Sequence, residues 1–88
     1  MDIGQAFGRA VKAKRAELGI SQEHLADEAG MARSFLSKIE NGKIGITLVT
    51  LTKLSLALDC SPSEILARAE GIASKNIPDW RIAWKTEQ

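Results

Sequence analysis

Four side chains with hydrogen-bonding groups fall close together on one face of a short predicted helix. They are Arg33, Ser34, Ser37 and Lys38, and residues three or four positions apart are neighbours on the surface of an α-helix. A guanidinium can donate to guanine N7 and O6 in the major groove of DNA, an ammonium can donate as a point charge, and a serine hydroxyl can donate or accept. The same set also suits an ordinary solvated helix face, so these residues alone leave both interpretations open.

Two more polar side chains flank this predicted helix in the sequence. Gln22 opens the helix before this one, where its amide can reach a phosphate with help from the positive end of the helix dipole. Lys43 follows the helix and offers a further phosphate contact. Because the net charge is only +1, the chain has no general basic coat, and any DNA binding has to use charge placed locally.

The single cysteine and the single histidine limit the covalent and metal chemistry of the chain. Cys60 cannot form an internal disulfide because it is the single cysteine. Cys60 and His24 together are too few for a Cys/His metal set. Cys60 follows an apolar helical pattern, which favours a small buried hydrophobe over a reactive thiol. His24 has no candidate acid partner, so we expect no catalytic activity, no metal and no cofactor.

Apolar residues at helical offsets predict about five helices and therefore an all-α fold. The residues expected to face the core are Phe7, Ala10, Val11 and Leu18 in the first helix, Leu25, Ala26 and Ala29 in the second, Phe35, Leu36 and Ile39 in the third, Leu48, Leu51, Leu54, Ala57 and Leu58 in the fourth, and Ile65, Leu66 and Ala69 in the fifth. No alternating strand pattern occurs before residue 77.

Local chemistry predicts where several of these helices begin and end. Ser21 and Thr47 can cap the second and fourth helices, because their hydroxyl groups can accept from N–H groups of the first turn. Ser61-Pro62-Ser63-Glu64 combines a capping box with a proline at the first helical position. Gly30 ends the second helix, and only two residues separate it from the third. This spacing predicts two short helices joined by a tight turn.

The same two helices carry a family resemblance. Residues 19–26, with the sequence GISQEHLA, and residues 30–43, with the sequence GMARSFLSKIENGK, resemble the Cro/C1-type (XRE-family) helix-turn-helix domain of phage repressors. The resemblance continues less strictly over residues 7–67. It implies a compact five-helix bundle of the lambda-repressor-like type, in which the third helix is the recognition helix.

The resemblance also implies a role for each of the polar residues. Gln22 matches a position that contacts a phosphate and supports the recognition helix. Positions that face bases or nearby phosphates are matched by Arg33, Ser34 and Lys38, and Ser37 is their neighbour. Asn41 and Lys43 lie in a loop that touches the DNA backbone. Arg15 and Glu40 match a pair that often forms an internal ion pair, so we expect both to be structural.

Three residues depart from the family pattern. Ala32 stands where the family usually has a serine or threonine N-cap, so the third helix is expected to begin with an unpaired N–H group at a cost of roughly 1 kcal/mol. Lys14 replaces a commonly apolar residue, and Ile46 replaces a common proline before the fourth helix. These two changes affect the expected packing of the first helix and the path of the loop.

The end of the chain follows a different pattern. We expect a helix-turn-helix domain at residues 1–70 and a C-terminal tail at residues 71–88. Trp80, Ile82 and Trp84 alternate with other residues, which predicts a strand or a short extended arm. Terminal aromatic residues either fold back on the core or form an interface. The tail is therefore a candidate dimerisation arm, or a candidate site for a protein partner through Trp80 and Trp84.

These features together predict a sequence-specific DNA-binding transcriptional regulator. One recognition helix covers few base pairs, so we expect a homodimer on a palindromic double-stranded DNA operator, joined by the fifth helix or the tail and acting as a repressor. The alternative is an antitoxin or a restriction-modification controller whose tail binds a protein partner. No apolar run reaches the roughly 18 residues of a membrane span, so we expect a cytoplasmic, nucleoid-associated protein without a membrane partner.

Overall fold

The fold of the described chain consists of α-helices. The computed structural model describes residues 2–76, and within them it contains helices α1 (Ile3–Glu17), α2 (Gln22–Ala29), α3 (Arg33–Glu40), α4 (Leu48–Ala57) and α5 (Pro62–Asn76) and no strand. The predicted all-α, five-helix architecture is confirmed. The predicted strand or arm with Trp80 and Trp84 lies outside the described residues.

Side-chain caps fix the starts of α2 and α4. The Ser21 hydroxyl accepts from the His24 N–H at 3.0 Å, and the Thr47 hydroxyl accepts from the Thr50 N–H at 3.1 Å. Each bond satisfies one of the N–H groups that the first turn of a helix leaves without an internal partner. Both caps are those that the sequence predicts.

The predicted capping box at the start of α5 is also confirmed. Ser61 Oγ accepts from the Glu64 N–H at 3.2 Å, and the Glu64 carboxylate accepts from the Ser61 N–H at 3.0 Å. This hydrogen bond from the Ser61 backbone lowers the pKa of the Glu64 carboxyl group. Pro62 occupies the first helical position, where its missing N–H costs nothing.

Two glycines with positive φ follow α2 and α3 and end these helices. Gly30, with φ of 69°, follows α2, and the next N–H, that of Met31, returns to Ala26 O at 2.9 Å. Gly42, with φ of 68°, follows α3, and the Lys43 N–H returns to Lys38 O at 2.9 Å. Both patterns are Schellman motifs, which need a residue that tolerates the left-handed region.

The core lies between α1 and α5 and extends to the inner faces of the other helices. Its buried apolar residues are Ala6, Phe7, Ala10, Val11, Leu25, Ala26, Ala29, Leu36, Ile39, Leu51, Leu54, Leu58, Ile65, Ala69 and Ala73. Most of the predicted core residues are therefore confirmed. The structure adds Ser55, which is fully buried and donates its hydroxyl to Leu51 O at 2.7 Å.

Three leucines and one phenylalanine that are predicted for the core have exposed side chains instead. The exposed fractions are 40% for Leu18, 37% for Phe35, 79% for Leu48 and 40% for Leu66. Leu18 lies at the end of α1 and Leu48 at the start of α4, where each side chain projects past the edge of the core. Phe35 and Leu66 each adjoin a buried neighbour, Leu36 and Ile65, and on a helix adjacent residues point about 100° apart.

The prediction for Cys60 is confirmed only in part. The side chain packs against the core but is half-buried, and desolvation raises the pKa of its thiol. A raised thiol pKa lowers the thiolate fraction, which disfavours reactivity. Of the departures from the family pattern, Lys14 is half-buried beside Cys60, and Ile46 packs against the core in place of a proline.

The close approach of α1 to α3 yields a stability prediction. A Cβ atom at Gly8 would lie 2.4 Å from the backbone oxygen of Ile39 and 2.5 Å from that of Glu40. We expect Gly8→Ala to lower the free energy of unfolding by about 1 to 3 kcal/mol, because the two helices must separate. This loss should appear although alanine is intrinsically favoured over glycine in a helix by about 1 kcal/mol.

Gly71 provides the matched control for this prediction. It lies in α5, and a Cβ atom there would meet no atom within 4 Å. Gly71→Ala should therefore raise the free energy of unfolding by up to about 1 kcal/mol. Urea titrations of both variants measure the two effects, and opposite signs are expected. Stabilisation by both substitutions would contradict the tight contact at Gly8.

Candidate nucleic-acid interface

A tight turn at residues 30–32 joins α2 to α3, and the first residue of α3, Arg33, reaches the first residue of α2, Gln22. The predicted site residues are brought to this corner and to the loop after α3. Arg33, Ser34, Lys38, Asn41 and Lys43 are exposed, and Ser37 and Gln22 are half-buried. The outward face of α3 is therefore formed by the side chains that the sequence predicts there.

A chain of hydrogen bonds connects Arg33 to the interior of the protein. Arg33 Nε donates to Gln22 Oε1 at 3.3 Å, and Gln22 Nε2 donates to Glu40 Oε1 at 3.1 Å. Arg15 then donates to both oxygens of the same carboxylate, from Nε at 2.9 Å and from Nη2 at 3.1 Å. The network links α1, α2 and both ends of α3.

The Arg15–Glu40 ion pair is buried and its charges are well partnered. The Glu40 side chain is 3% exposed and that of Arg15 17% exposed, and Arg15 Nη1 also donates to Ile20 O at 3.2 Å. A buried carboxylate is costly unless its lone pairs are satisfied, and here three hydrogen bonds reach Glu40. The internal ion pair implied by the resemblance is present.

Gln22 orients the Arg33 side chain. This contact uses Arg33 Nε and not the two terminal nitrogens of the guanidinium. The terminal nitrogens are the atoms that donate to guanine in a bidentate contact. A primary amide carries two donor hydrogens, and Gln22 gives one of them to Glu40. The other hydrogen can still donate to a phosphate.

Asn41 makes local contacts that the sequence analysis did not foresee. Its Nδ2 donates to the backbone oxygen of Ser37 at 2.9 Å and lies 3.4 Å from Ser37 Oγ. The amide therefore holds the last turn of α3, ahead of Gly42. Asn41 follows Ser37 by four residues. An asparagine at a helix end, four residues after a serine, is the sequence signal that could have predicted this contact.

The predicted lack of a side-chain cap at the start of α3 is confirmed. Ala32 has the extended backbone of an N-cap, with φ of −69° and ψ of 142°, but it supplies no side-chain hydrogen bond. The first turn of α3 is held instead by backbone bonds to Ala32 O and by the contact between Arg33 and Gln22.

Comparison with known proteins identifies the arrangement. The family model described as helix-turn-helix matches residues 11–65. The chain belongs to the helix-turn-helix family. It is 36% identical over 83 residues to the competence pilus inhibition repressor of Acinetobacter baylyi, a match that covers 92% of this chain and 72% of that protein. It is 39% identical over 70 residues to the control protein C.MunI of a Mycoplasma species, covering 78% of this chain and 95% of the relative.

A solved structure agrees with this assignment. The restriction-modification controller protein C.AhdI from Aeromonas hydrophila superposes with a TM-score of 0.68 at 38% identity, covering 69% of this chain and 92% of that one. The chain is thus a DNA-binding helix-turn-helix regulator of the Cro/C1 type.

Across residues 2–76 no three His, Cys, Asp or Glu side chains lie where they could hold a metal ion. In the same part of the chain no helix is both long enough and apolar enough to cross a membrane. The family is one of transcription regulators.

The buried position of the Arg15–Glu40 pair leads to a second stability prediction. We expect Arg15→Leu to lower the free energy of unfolding by about 3 kcal/mol or more, because it leaves the Glu40 carboxylate buried without its main partner. The matched control is Arg68→Leu, which breaks a similar bidentate pair with Glu17. Thermal and urea unfolding of both variants measure the difference.

The control pair differs in its exposure to water. The Arg68 and Glu17 side chains are 34% and 54% exposed, so solvent screens their interaction and the loss should be much smaller. The hydrogen bond from Arg68 lowers the pKa of the Glu17 carboxyl group. Equal losses from the two substitutions would contradict the structural role given to Glu40.

Proposed function

We propose that this protein binds a palindromic operator as a homodimer and represses the genes beside it. The observation that supports the proposal is the outward face of α3, where Arg33, Ser34 and Lys38 are exposed and Arg33 is held by Gln22. The N-terminal part of a recognition helix reaches the base edges in the major groove, and two of these residues open α3.

Each proposed contact follows from the position and chemistry of its residue. Arg33 donates to a guanine, Ser34 and Lys38 contact neighbouring base edges, and Ser37 supports them at the groove wall. Gln22 donates its second amide hydrogen to a phosphate at the start of α2. The loop after α3 contacts the backbone through Asn41 and Lys43.

The charge distribution supports specific binding over general attraction to DNA. The whole chain carries a formal net charge of +1, so its long-range attraction to DNA is weak. Arg33, Lys38 and Lys43 nevertheless fall on one exposed surface built from α3 and the loop after it. Binding therefore depends on docking this surface in register.

The described surface offers α4 as the contact between two copies. Its exposed apolar residues are Leu48, Val49 and Leu56, with exposed fractions of 79%, 64% and 70%. They recur at positions that share one side of a helix, and Lys53 lies on the same side, across a shallow groove from Glu28 of α2. A two-fold interface needs a self-complementary surface, and an apolar stripe with one cation and one anion at its rim meets that need.

We prefer this surface to the fifth helix, which is one of the two dimer contacts predicted from the sequence, the tail being the other. On α5 the exposed large apolar side chain is Leu66, and its exposed fraction is 40%. The tail with Trp80 and Trp84 stays a candidate for the dimer contact or for a protein partner, and its separation from the domain of residues 1–70 stays a proposal.

Two further parts of the proposal follow from operator binding. We assign the protein no enzymatic activity and no cofactor, since its proposed action consists of occupying DNA. We place it in the cytoplasm, on the nucleoid, because that is where an operator lies in a bacterial cell.

A restriction-modification controller is the second candidate function. The observation that favours it is the similarity to C.MunI and C.AhdI, whose names describe them as control proteins. This reading predicts genes for a restriction endonuclease and a methyltransferase beside the gene for this protein. Their absence from the neighbouring genes would leave general repression as the better account.

Operator binding predicts different effects for a base-reading and a backbone-binding residue. We expect Arg33→Ala to weaken operator binding by about 1 to 3 kcal/mol and to leave binding to random DNA nearly unchanged. Lys43→Ala should weaken binding to both DNAs alike and reduce the dependence of affinity on salt by about one counterion per protomer. Fluorescence anisotropy at several salt concentrations, with an operator selected from a random duplex pool, measures both.

Arg9 provides a matched control for the removal of a positive charge. It is exposed on α1 and belongs to no proposed contact, so Arg9→Ala should change operator binding little. Equal loss of affinity for operator and random DNA in Arg33→Ala would refute its role in reading bases.

The proposed dimer predicts which change separates the two copies. Leu56→Glu, in the exposed stripe of α4, should produce a monomer, because a charge would be buried in the contact. Leu66→Glu is the matched control on α5 and should leave the dimer intact, as should removal of residues 77–88. Light scattering gives the mass of each variant. A monomer on removing residues 77–88, with Leu56→Glu still dimeric, would assign the contact to the tail.

A further inference from the structure

Phe35 is the one large apolar side chain exposed on the outward part of α3. Its exposed fraction is 37%, whereas the apolar residues that follow it in the same helix, Leu36 and Ile39, are exposed by 0% and 2%. The packing of the domain therefore explains Leu36 and Ile39 but leaves part of the Phe35 ring facing water. An exposed aromatic ring on a recognition helix needs an explanation of its own.

The position of Phe35 within α3 puts it among the proposed base-reading residues. It is the third residue of the helix, which is the part that enters the groove first. It directly follows Ser34 and lies one turn before Lys38, both exposed. Ile39, one turn further along the inner row, is buried. The ring thus lies at the border between the core row and the outward row of α3.

The chemistry of the ring selects one partner in the major groove. A phenyl group has no hydrogen-bonding atom, so it cannot satisfy the donors and acceptors that guanine, cytosine and adenine present there. Thymine differs because its C5 methyl group is apolar and projects into the groove. We propose that Phe35 reads a thymine in each half of the operator by packing its ring against this methyl group.

This assignment rests on the proposed operator binding and adds a specificity residue to it. Arg33 and Phe35 are two residues apart on α3, about 3 Å along the helix axis but on opposite borders of its outward face, so they contact different bases of one half-site. A hydrogen-bonding contact and an apolar contact then select a guanine and a thymine within the same half-site. A cytosine in place of the thymine would present an amino group to the ring without a partner.

The test removes the methyl group from the DNA and the ring from the protein separately. An operator selected from a random duplex pool is resynthesised with uracil in place of each thymine in turn, which deletes only the C5 methyl group. Dissociation constants are measured by anisotropy for the wild type, Phe35→Ala and Phe35→Leu. Leu18→Ala is the matched control, because Leu18 has a similar exposed fraction of 40% but lies at the end of α1.

The expected result is a coupling between one thymine and Phe35. Uracil at that position of one half-site should weaken wild-type binding about fourfold, which is the effect of losing one buried methyl group. The same uracil should weaken binding by Phe35→Ala by less than about 1.5-fold, because the ring that contacts the methyl group is absent. Phe35→Leu should retain part of the effect, and Leu18→Ala should respond as the wild type does. On the uracil operator the wild type and Phe35→Ala should differ less than on the thymine operator.

Three results would overturn the inference. One is a uracil effect of the same size in Phe35→Ala and the wild type, which would place another group on the methyl. Another is unchanged operator affinity in Phe35→Ala, which would point to a protein partner for the ring. The third is an equal loss on thymine and uracil operators together with a lowered melting temperature, which would make the ring structural. If the protein selects no preferred duplex from the random pool, the proposed operator binding itself is refuted.

Discussion

The buried carboxylate of Glu40 is the constraint on which the arrangement of the first three helices depends. A charge this deep is tolerated only if its oxygens are fully hydrogen-bonded, and the donors come from Arg15 on α1 and Gln22 on α2. Their bond lengths fix where α3 lies against both helices. Gly8 has the complementary role, because its missing side chain lets α1 approach the end of α3 closely enough for the ion pair to form.

Much of this fold could be predicted from the sequence because its determinants are local. Ser21, Thr47 and the Ser61–Glu64 box fix helix starts within a few residues, and such bonds depend on little beyond the adjacent backbone. The turn at Gly30 is local in the same sense. The outward placement of Arg33 and Lys38 also followed, since charged side chains are seldom buried without partners.

The errors concern the rotation of helices about their own axes, which periodicity specifies only loosely. In α4 apolar residues occur on two sides, so the sequence did not reveal that Leu51 and Leu54 face inward while Leu48 faces outward. Ser55 is buried because its hydroxyl bonds within its own helix, which removes the usual cost of a polar residue in a core. In α3, Phe35 follows the apolar pattern but lies at its edge, and only the packing against neighbouring helices decides such a position.

The two ends of α3 are held by different means, and this difference bears on recognition. The end of the helix is anchored by the Glu40 network and by the backbone bonds around Gly42. The start lacks a side-chain cap at Ala32, yet it carries Arg33, Ser34 and Phe35. Gln22 compensates, because it joins the buried carboxylate to Arg33 across the turn. Orientation of the leading arginine therefore comes from the core through a side chain of α2, whereas a capping residue would have held only the backbone.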